Sequence, residues 1–241
     1  MFNDCFIPAP TNLNLSFGDV HIWRLDLKQP EAHIEAFRAT LSSDEIVRAD
    51  RFYFPEHRHR FIAGRGSLRA ILGRYLGVDA AQVEFEYQQR GKPLLGGKFA
   101  GSGLCFNLSH SQDLGLLGVS KGAIGVDLEY MRQMSDLEGL AERFFLDKEV
   151  ELVRSLSSLQ QQEVFFRYWT CKEAYLKATG DGIVKLEEVE ISLTPTTPAK
   201  LLISENWHLL ELVPGENFRA AVVVAKHQTL NYSYNPQYFQ F

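Results

Sequence analysis

"QQQEVFFRYWTCKEAYLKATG" occupies residues 160–180. It reads as a long amphipathic helix closed by Gly180, since glycine most readily takes the left-handed backbone that ends a helix. Just before it, "LDKEVELVRSL" (residues 146–156) predicts a shorter helix begun by Asp147. The same order occurs earlier in the chain. "SSDEIVRADRF" (residues 42–52) predicts a helix capped by Ser42 or Ser43. After Pro55, "HRHRFIAGRGSLRAILGRYLG" (residues 57–77) predicts a long helix, with Phe61, Leu68, Ile71, Leu72 and Tyr75 at helical spacing and Gly77 at its end. Identity between the halves is low, so order and spacing carry the reading. They point to a duplication with a period of about 110 residues, far longer than any solenoid repeat.

Strands fill the rest. "VHIWRLDL" (20–27) alternates, "VEFEY" (83–87) and "GKPLL" (91–95) are short, and "LCFNLSHS" (104–111) ends in a polar turn. "LGLLGVS" (114–120) and "AIGVDLEY" (123–130) are expected to form a hairpin around Lys121-Gly122. Beyond Gly180, "VEISL", "AKLLIS", "WHLLELV" and "FRAAVVVAKH" predict antiparallel strands, with "PGEN" (214–217) as a turn. The expected fold is α+β, a pseudo-twofold duplication of two similar α/β units, each an antiparallel sheet packed with a long helix. The expected division is an arm at residues 1–16, an N-terminal unit at 17–122 and a C-terminal unit at 123–241, with a ligand cleft between the units.

Composition narrows the function. Of 241 residues, 45% are hydrophobic and 23% charged, ordinary for a soluble globular protein with a real core. A net charge of −5 disfavours nucleic acid as a partner. Cys5, Cys105 and Cys171 are far apart, which predicts reduced, inert thiols and the cytoplasm. "MFNDCFIPAPTNLN" lacks the basic start and apolar run of a signal peptide, and no stretch is apolar enough to suggest a membrane span.

In "GVDLE" (residues 125–129), Asp127 and Glu129 leave one face of the strand, and Leu128 between them points the other way into the core. Such carboxylates are usually just solvated. A hard divalent cation would offset their repulsion, because Mg²⁺ takes a few carboxylates and completes its shell with water and phosphate. On the long helix, Trp169, Glu173 and Lys177 share a face, which suits Glu173 as a third carboxylate. His110 between Ser109 and Ser111 could donate to a phosphate, whereas no G-x-S-x-G elbow surrounds Ser109. Basic residues cluster at Arg48, Arg51, Arg58, Arg60, Arg65 and Arg69, and a turn presents Lys92. Walker A and G-x-G-x-x-G fingerprints are absent from the sequence. These residues alone leave open a metal-dependent phosphohydrolase and a non-catalytic binding module.

Taken together and in order, "GKP" (91–93), "FNLSHS" (106–111), "GVDLE", "FF…KE" (144–149) and "WTCKEAYLKATGDGI" (169–183) resemble 4′-phosphopantetheinyl transferases of the Sfp type. The resemblance runs from about Leu41 to Ala225. It implies transfer of the phosphopantetheine arm of coenzyme A to a serine of apo-acyl, peptidyl or polyketide carrier proteins, releasing adenosine 3′,5′-bisphosphate. It implies Mg²⁺, with Mn²⁺ as a substitute, held by Asp127, Glu129 and Glu173. It places Lys172 and Lys177 by the pyrophosphate, and Arg60 and His110, with Arg48 or Arg51, at the 3′-phosphate. Lys92, Pro93 and Ser109 would contact the nucleotide, and Glu149 is the candidate base. A duplicated chain implies a monomer. The sequence departs from the pattern before "RFYF", where Glu45 and Ala49 stand at positions expected to be basic.

Overall fold

The computed structural model describes residues 7–10, 12–88, 91–226 and 236–240. The expected arm at 1–16 lies partly outside these residues. Its described part includes a strand, β1 (Ile7–Pro8).

The two units repeat one topology. In the N-terminal unit, β2 (Val20–Asp26) leads into α1 (Glu31–Arg38), α2 (Ser43–Asp50) and the long α3 (Pro55–Leu76). A two-stranded sheet follows, β3 (Phe85–Tyr87) with β4 (Pro93–Leu95), and then β5 (Cys105–Ser111) and β6 (Leu114–Ser120). In the C-terminal unit, β7 (Ile124–Tyr130) leads into α4 (Leu137–Phe144), α5 (Asp147–Arg154) and α6 (Ser158–Thr179). A small sheet follows, β8 (Ile191–Ser192) with β9 (Lys200–Leu201), and then β10 (Trp207–Leu212) and β11 (Phe218–Ala225). The antiparallel order β2-β6-β5 in the first unit matches β7-β11-β10 in the second. Both long helices have 22 residues and end at glycines in the left-handed region, Gly77 (φ 68°) and Gly180 (φ 84°).

The expected hairpin between residues 114–120 and 123–130 does not form. β6 pairs with β2 and β5, whereas β7 pairs with β11, so Lys121-Gly122 is the boundary between units rather than a turn. Two adjacent apolar runs look alike in sequence whichever strands they pair with. A second departure is β12 (Pro236–Gln240). This strand inserts between β1 and β2, parallel to both, and so adds the chain's last described residues to the N-terminal sheet. That sheet is therefore mixed, with five strands.

Each long helix packs its apolar side onto its own sheet. Ile62, Leu68, Ile71 and Leu72 of α3 join Trp23 and Leu25 of β2 in one core. Phe165, Tyr168, Cys171 and Ala174 of α6 join Ala221 and Val223 of β11 in the other. Helix α6 lies unusually close to β7. A Cβ on Gly125 would fall inside the van der Waals shell of the Ala174 carbonyl oxygen and the Ala178 amide nitrogen. Strand alternation then puts Asp127 and Glu129 on that same face. Leu128 points the other way and is buried, as the alternation predicts.

Gly125→Ala should therefore cost about 1–3 kcal/mol of stability, the range for overpacking a tight interior. Urea denaturation measures this, and an unchanged midpoint would contradict the close approach.

Candidate active site

The carboxylate cluster is built from β7 and α6. Lys177, one turn beyond Glu173, donates from Nζ to Asp127 Oδ1 at 2.5 Å. Asp127 is buried and Glu173 is half-buried. Glu173 Oε1 is buried and makes no hydrogen bond among the described residues. Burial first, and the negative charge of Asp127 second, push the Glu173 carboxyl above the usual carboxylate range, with Lys177 opposing. The face that joins Trp169, Glu173 and Lys177 in sequence is partly covered. Trp169 packs edge-on to Phe144 and stacks on Phe165.

Glu129 stands two residues along the same strand face, opposite Arg219 of β11. Among the described residues, no three His, Cys, Asp or Glu side chains gather into a complete ligand set. The donors nonetheless fit Mg²⁺, which needs only one or two carboxylates beside water and phosphate oxygens. A buried carboxylate oxygen lacking a partner beside a second carboxylate offers hard oxygen ligands, and Glu173 Oε1 is such an atom. Arg219 is a member of this face that sequence reasoning missed. It donates to Glu163 of α6 at 2.9 Å, and only the β7–β11 register brings it opposite Glu129.

Glu149 and Lys172 are placed differently from the expectation. Lys172 is 0% exposed and Glu149 1%. Lys172 Nζ donates to Glu149 Oε2 at 2.7 Å and to the carbonyl oxygens of Leu186 (3.2 Å) and Val189. The Glu149 carboxylate also accepts from the amides of Leu146 (3.0 Å) and Ile191 (3.0 Å). Burial pulls the Lys172 ammonium below the ordinary amine range against the attraction of Glu149. A base must reach the serine and a phosphate ligand must reach the pyrophosphate. In this geometry Glu149 and Lys172 are instead bound to each other as a buried ion pair.

The candidate nucleotide residues all belong to the N-terminal unit. Arg60 of α3 donates from Nε to Asp113 at 2.6 Å, and Asp113 sits in the two-residue turn that follows His110 and Ser111. His110 is exposed and Ser109 buried. Lys92 and Pro93 are half-buried at the start of β4, beside Gly91 with φ 80°. Arg48 and Arg51 are exposed at the end of α2, with Arg48 stacked over Phe61. The structure also accounts for the two non-basic positions. Glu45 is buried between Arg65 (2.8 Å from Nε) and Arg69 (2.6 Å), and Ala49 is fully enclosed.

Two family descriptions match adjoining stretches of the chain. Residues 123–223 match the 4′-phosphopantetheinyl transferase superfamily, and residues 28–121 match the 4′-phosphopantetheinyl transferase N-terminal model. A 4′-phosphopantetheinyl transferase of Nostoc sp., HetI, is 59% identical over 242 residues and the match covers all of both chains. The chain belongs to the 4′-phosphopantetheinyl transferase family. A putative 4′-phosphopantetheinyl transferase of Synechocystis sp. is 40% identical over 163 residues, covering 67% of this chain and 65% of its own. The Bacillus subtilis transferase Sfp is 29% identical over 149 residues, covering 62% of this chain and 64% of its own. Among the described residues of this transferase, no helix is long and apolar enough to cross a membrane.

The transferase site stores an unfavourable charge. The Glu173 carboxyl binds its proton more tightly folded than unfolded. Its contribution to stability is complete below the ordinary glutamate range and is lost as pH rises through the raised folded value. Glu173→Gln removes that loss. In metal-free protein it should raise the urea midpoint at neutral pH and give no gain near about pH 4. A variant less stable than the parent at neutral pH would contradict the raised value.

Proposed function

We propose that this transferase moves the 4′-phosphopantetheine arm of coenzyme A to a serine hydroxyl of an apo-acyl, peptidyl or polyketide carrier protein, releasing adenosine 3′,5′-bisphosphate. It acts in the cytoplasm as a monomer and depends on Mg²⁺, with Mn²⁺ as a substitute. The observation that carries this reading is the cluster of Asp127, Glu173 and Lys177, in which one buried Glu173 carboxylate oxygen makes no hydrogen bond among the described residues. Asp127 and Glu173 would hold the cation, with Glu129 on the same face as a further oxygen ligand. When bound, the cation would neutralise charge on the pyrophosphate oxygens.

The chain's own residues do the remaining work. A new serine oxygen–phosphorus bond forms as the phosphorus–oxygen bond within the pyrophosphate breaks. The departing electron pair stays on the adenosine bisphosphate. Such displacement needs positioning and charge neutralisation more than a protein nucleophile. Lys177 supplies positive charge at the breaking bond when its ammonium turns from Asp127 to phosphate. Glu173, directly or through a water, takes the serine proton. Arg60 and His110, with Arg48 or Arg51, bind the 3′-phosphate. Lys92, the Pro93 backbone and Ser109 contact the nucleotide.

The test combines apo-carrier protein, coenzyme A and Mg²⁺, followed by mass spectrometry of the carrier. A mass gain equal to one phosphopantetheine arm is expected. Coenzyme A binding without that gain would mean a binding module, and phosphate release without it would mean a hydrolase. Asp127→Ala should lower transfer at least about 100-fold, the scale of losing one electrostatic stabiliser of developing charge, while circular dichroism stays unchanged. Full, still metal-dependent transfer by that variant would sink the assignment of Asp127.

A further inference from the structure

The buried pair Glu149–Lys172 has a twin in the other unit. Lys172 and Arg69 each stand fourteen residues beyond the first residue of their long helices, Ser158 and Pro55. Glu149 and Glu45 each occupy the third position of the preceding eight-residue helix. The bonding repeats as well. Each carboxylate accepts the amide three residues before it, from Leu146 (3.0 Å) or Ser42 (3.1 Å). Each cation also donates to carbonyls in, and just after, the 3₁₀ segment that follows its long helix. Lys172 reaches Leu186 and Val189, and Arg69 reaches Ala80 (3.3 Å) and Val83 (2.7 Å). One side chain thus ties the long helix to the short helix before it and the turn after it.

The neighbours of the twins differ. Lys172 is followed by Glu173, but Arg69 is followed by Ala70. Lys177 contacts Asp127, whereas Arg74, at the corresponding place on α3, lies over the Trp23 ring. A clasp that also occurs where no such acidic cluster stands among the described residues does not owe its existence to taking a proton. In the C-terminal unit it has a further consequence. Helix α6 is pressed on β7 at Gly125 and tied on another side through Lys172, which prevents it from rolling. Glu173 is therefore presented to Asp127 in one orientation.

We propose that Glu149 and Lys172 are a positioning pair for Glu173, acting on transfer by holding α6 rather than by touching substrate. This rests on the transfer reading above. Arginine occupies the twin position, so Lys172→Arg should preserve the clasp and Lys172→Met should break it. Glu149→Gln, which retains the shape of the side chain, serves if Lys172→Met does not fold.

The experiment measures kcat and the KM for coenzyme A on folded protein, together with urea midpoints for a double-mutant cycle. Lys172→Met and Glu149→Gln should each lower kcat roughly tenfold or more with KM changed less than about threefold, as expected when an interaction made only in the transition state is misaligned. Lys172→Arg should stay within about threefold of the parent in both constants. The double variant should be no worse than the poorer single one, in kcat and in urea. Arg69→Met, breaking the twin, should lower the urea midpoint and leave kcat of the folded protein within about threefold. The proposal is overturned by normal kcat in Lys172→Met, or by a kcat loss in Arg69→Met equal to that in Lys172→Met. It is also overturned if Glu149→Gln abolishes transfer while Lys172→Met does not, since Glu149 would then act alone as a base. If the parent protein transfers nothing, the transfer reading has failed. Additive urea midpoints in the cycle would still overturn the pair.

Discussion

Contact between β7 and the backbone of α6 at Gly125 is the constraint on which the site depends. A strand and a helix ordinarily keep a side chain's width between them. Here the missing side chain lets Ala174 and Ala178 approach the strand directly. Two residues further along β7, Asp127 is then within reach of Lys177 and of the charge on Glu173. Burial first, and the negative charge of Asp127 second, make the ionised Glu173 carboxylate unfavourable in the folded protein, and its raised proton affinity records that cost.

Several features of this arrangement could be read in the sequence. Helix ends, the long helices and the alternation of Asp127, Leu128 and Glu129 follow local rules: spacing, caps and terminal glycines. That Asp127 and Glu129 share a strand face, and Trp169, Glu173 and Lys177 a helix face, was legible because each set lies in a short motif whose periodicity fixes a face. Other features were not legible because they depend on distant partners. Whether β6 pairs with β7 or with β2 is invisible in two apolar runs joined by Lys-Gly. Arg219 becomes a neighbour of Glu129 only through strand register. Glu149 and Lys172 carry types of charge that usually mark solvent or chemistry, yet three-dimensional packing buries them against each other. A motif shows that residues belong together, but not which of them faces inward.

The twin clasps also clarify what duplication has kept and changed. The helices, small sheets and strand order recur in both units. So does a buried acid held by a cation from the long helix. Breaking one partner of such a pair strands an unpaired buried charge, at about 3–5 kcal/mol, so either charge is hard to lose singly. The acidic face of β7 and α6 is not shared. Trp23 and Arg74 occupy that region of the N-terminal unit with an aromatic–cation contact instead. Conserved scaffolding and divergent chemistry therefore lie on adjacent turns of the same kind of helix.

The strand β12 has a bearing on how the chain comes off the ribosome. It lies between β1 and β2, yet it is made only after residues 122–226. The C-terminal unit has all its described strands and helices beforehand, whereas the N-terminal sheet waits with one edge of β2 open. Closing it joins segments separated by some two hundred residues, the kind of long-range pairing that slows folding. Nascent chains would therefore expose that edge longest, and a chaperone that shields open strands would find its binding site there.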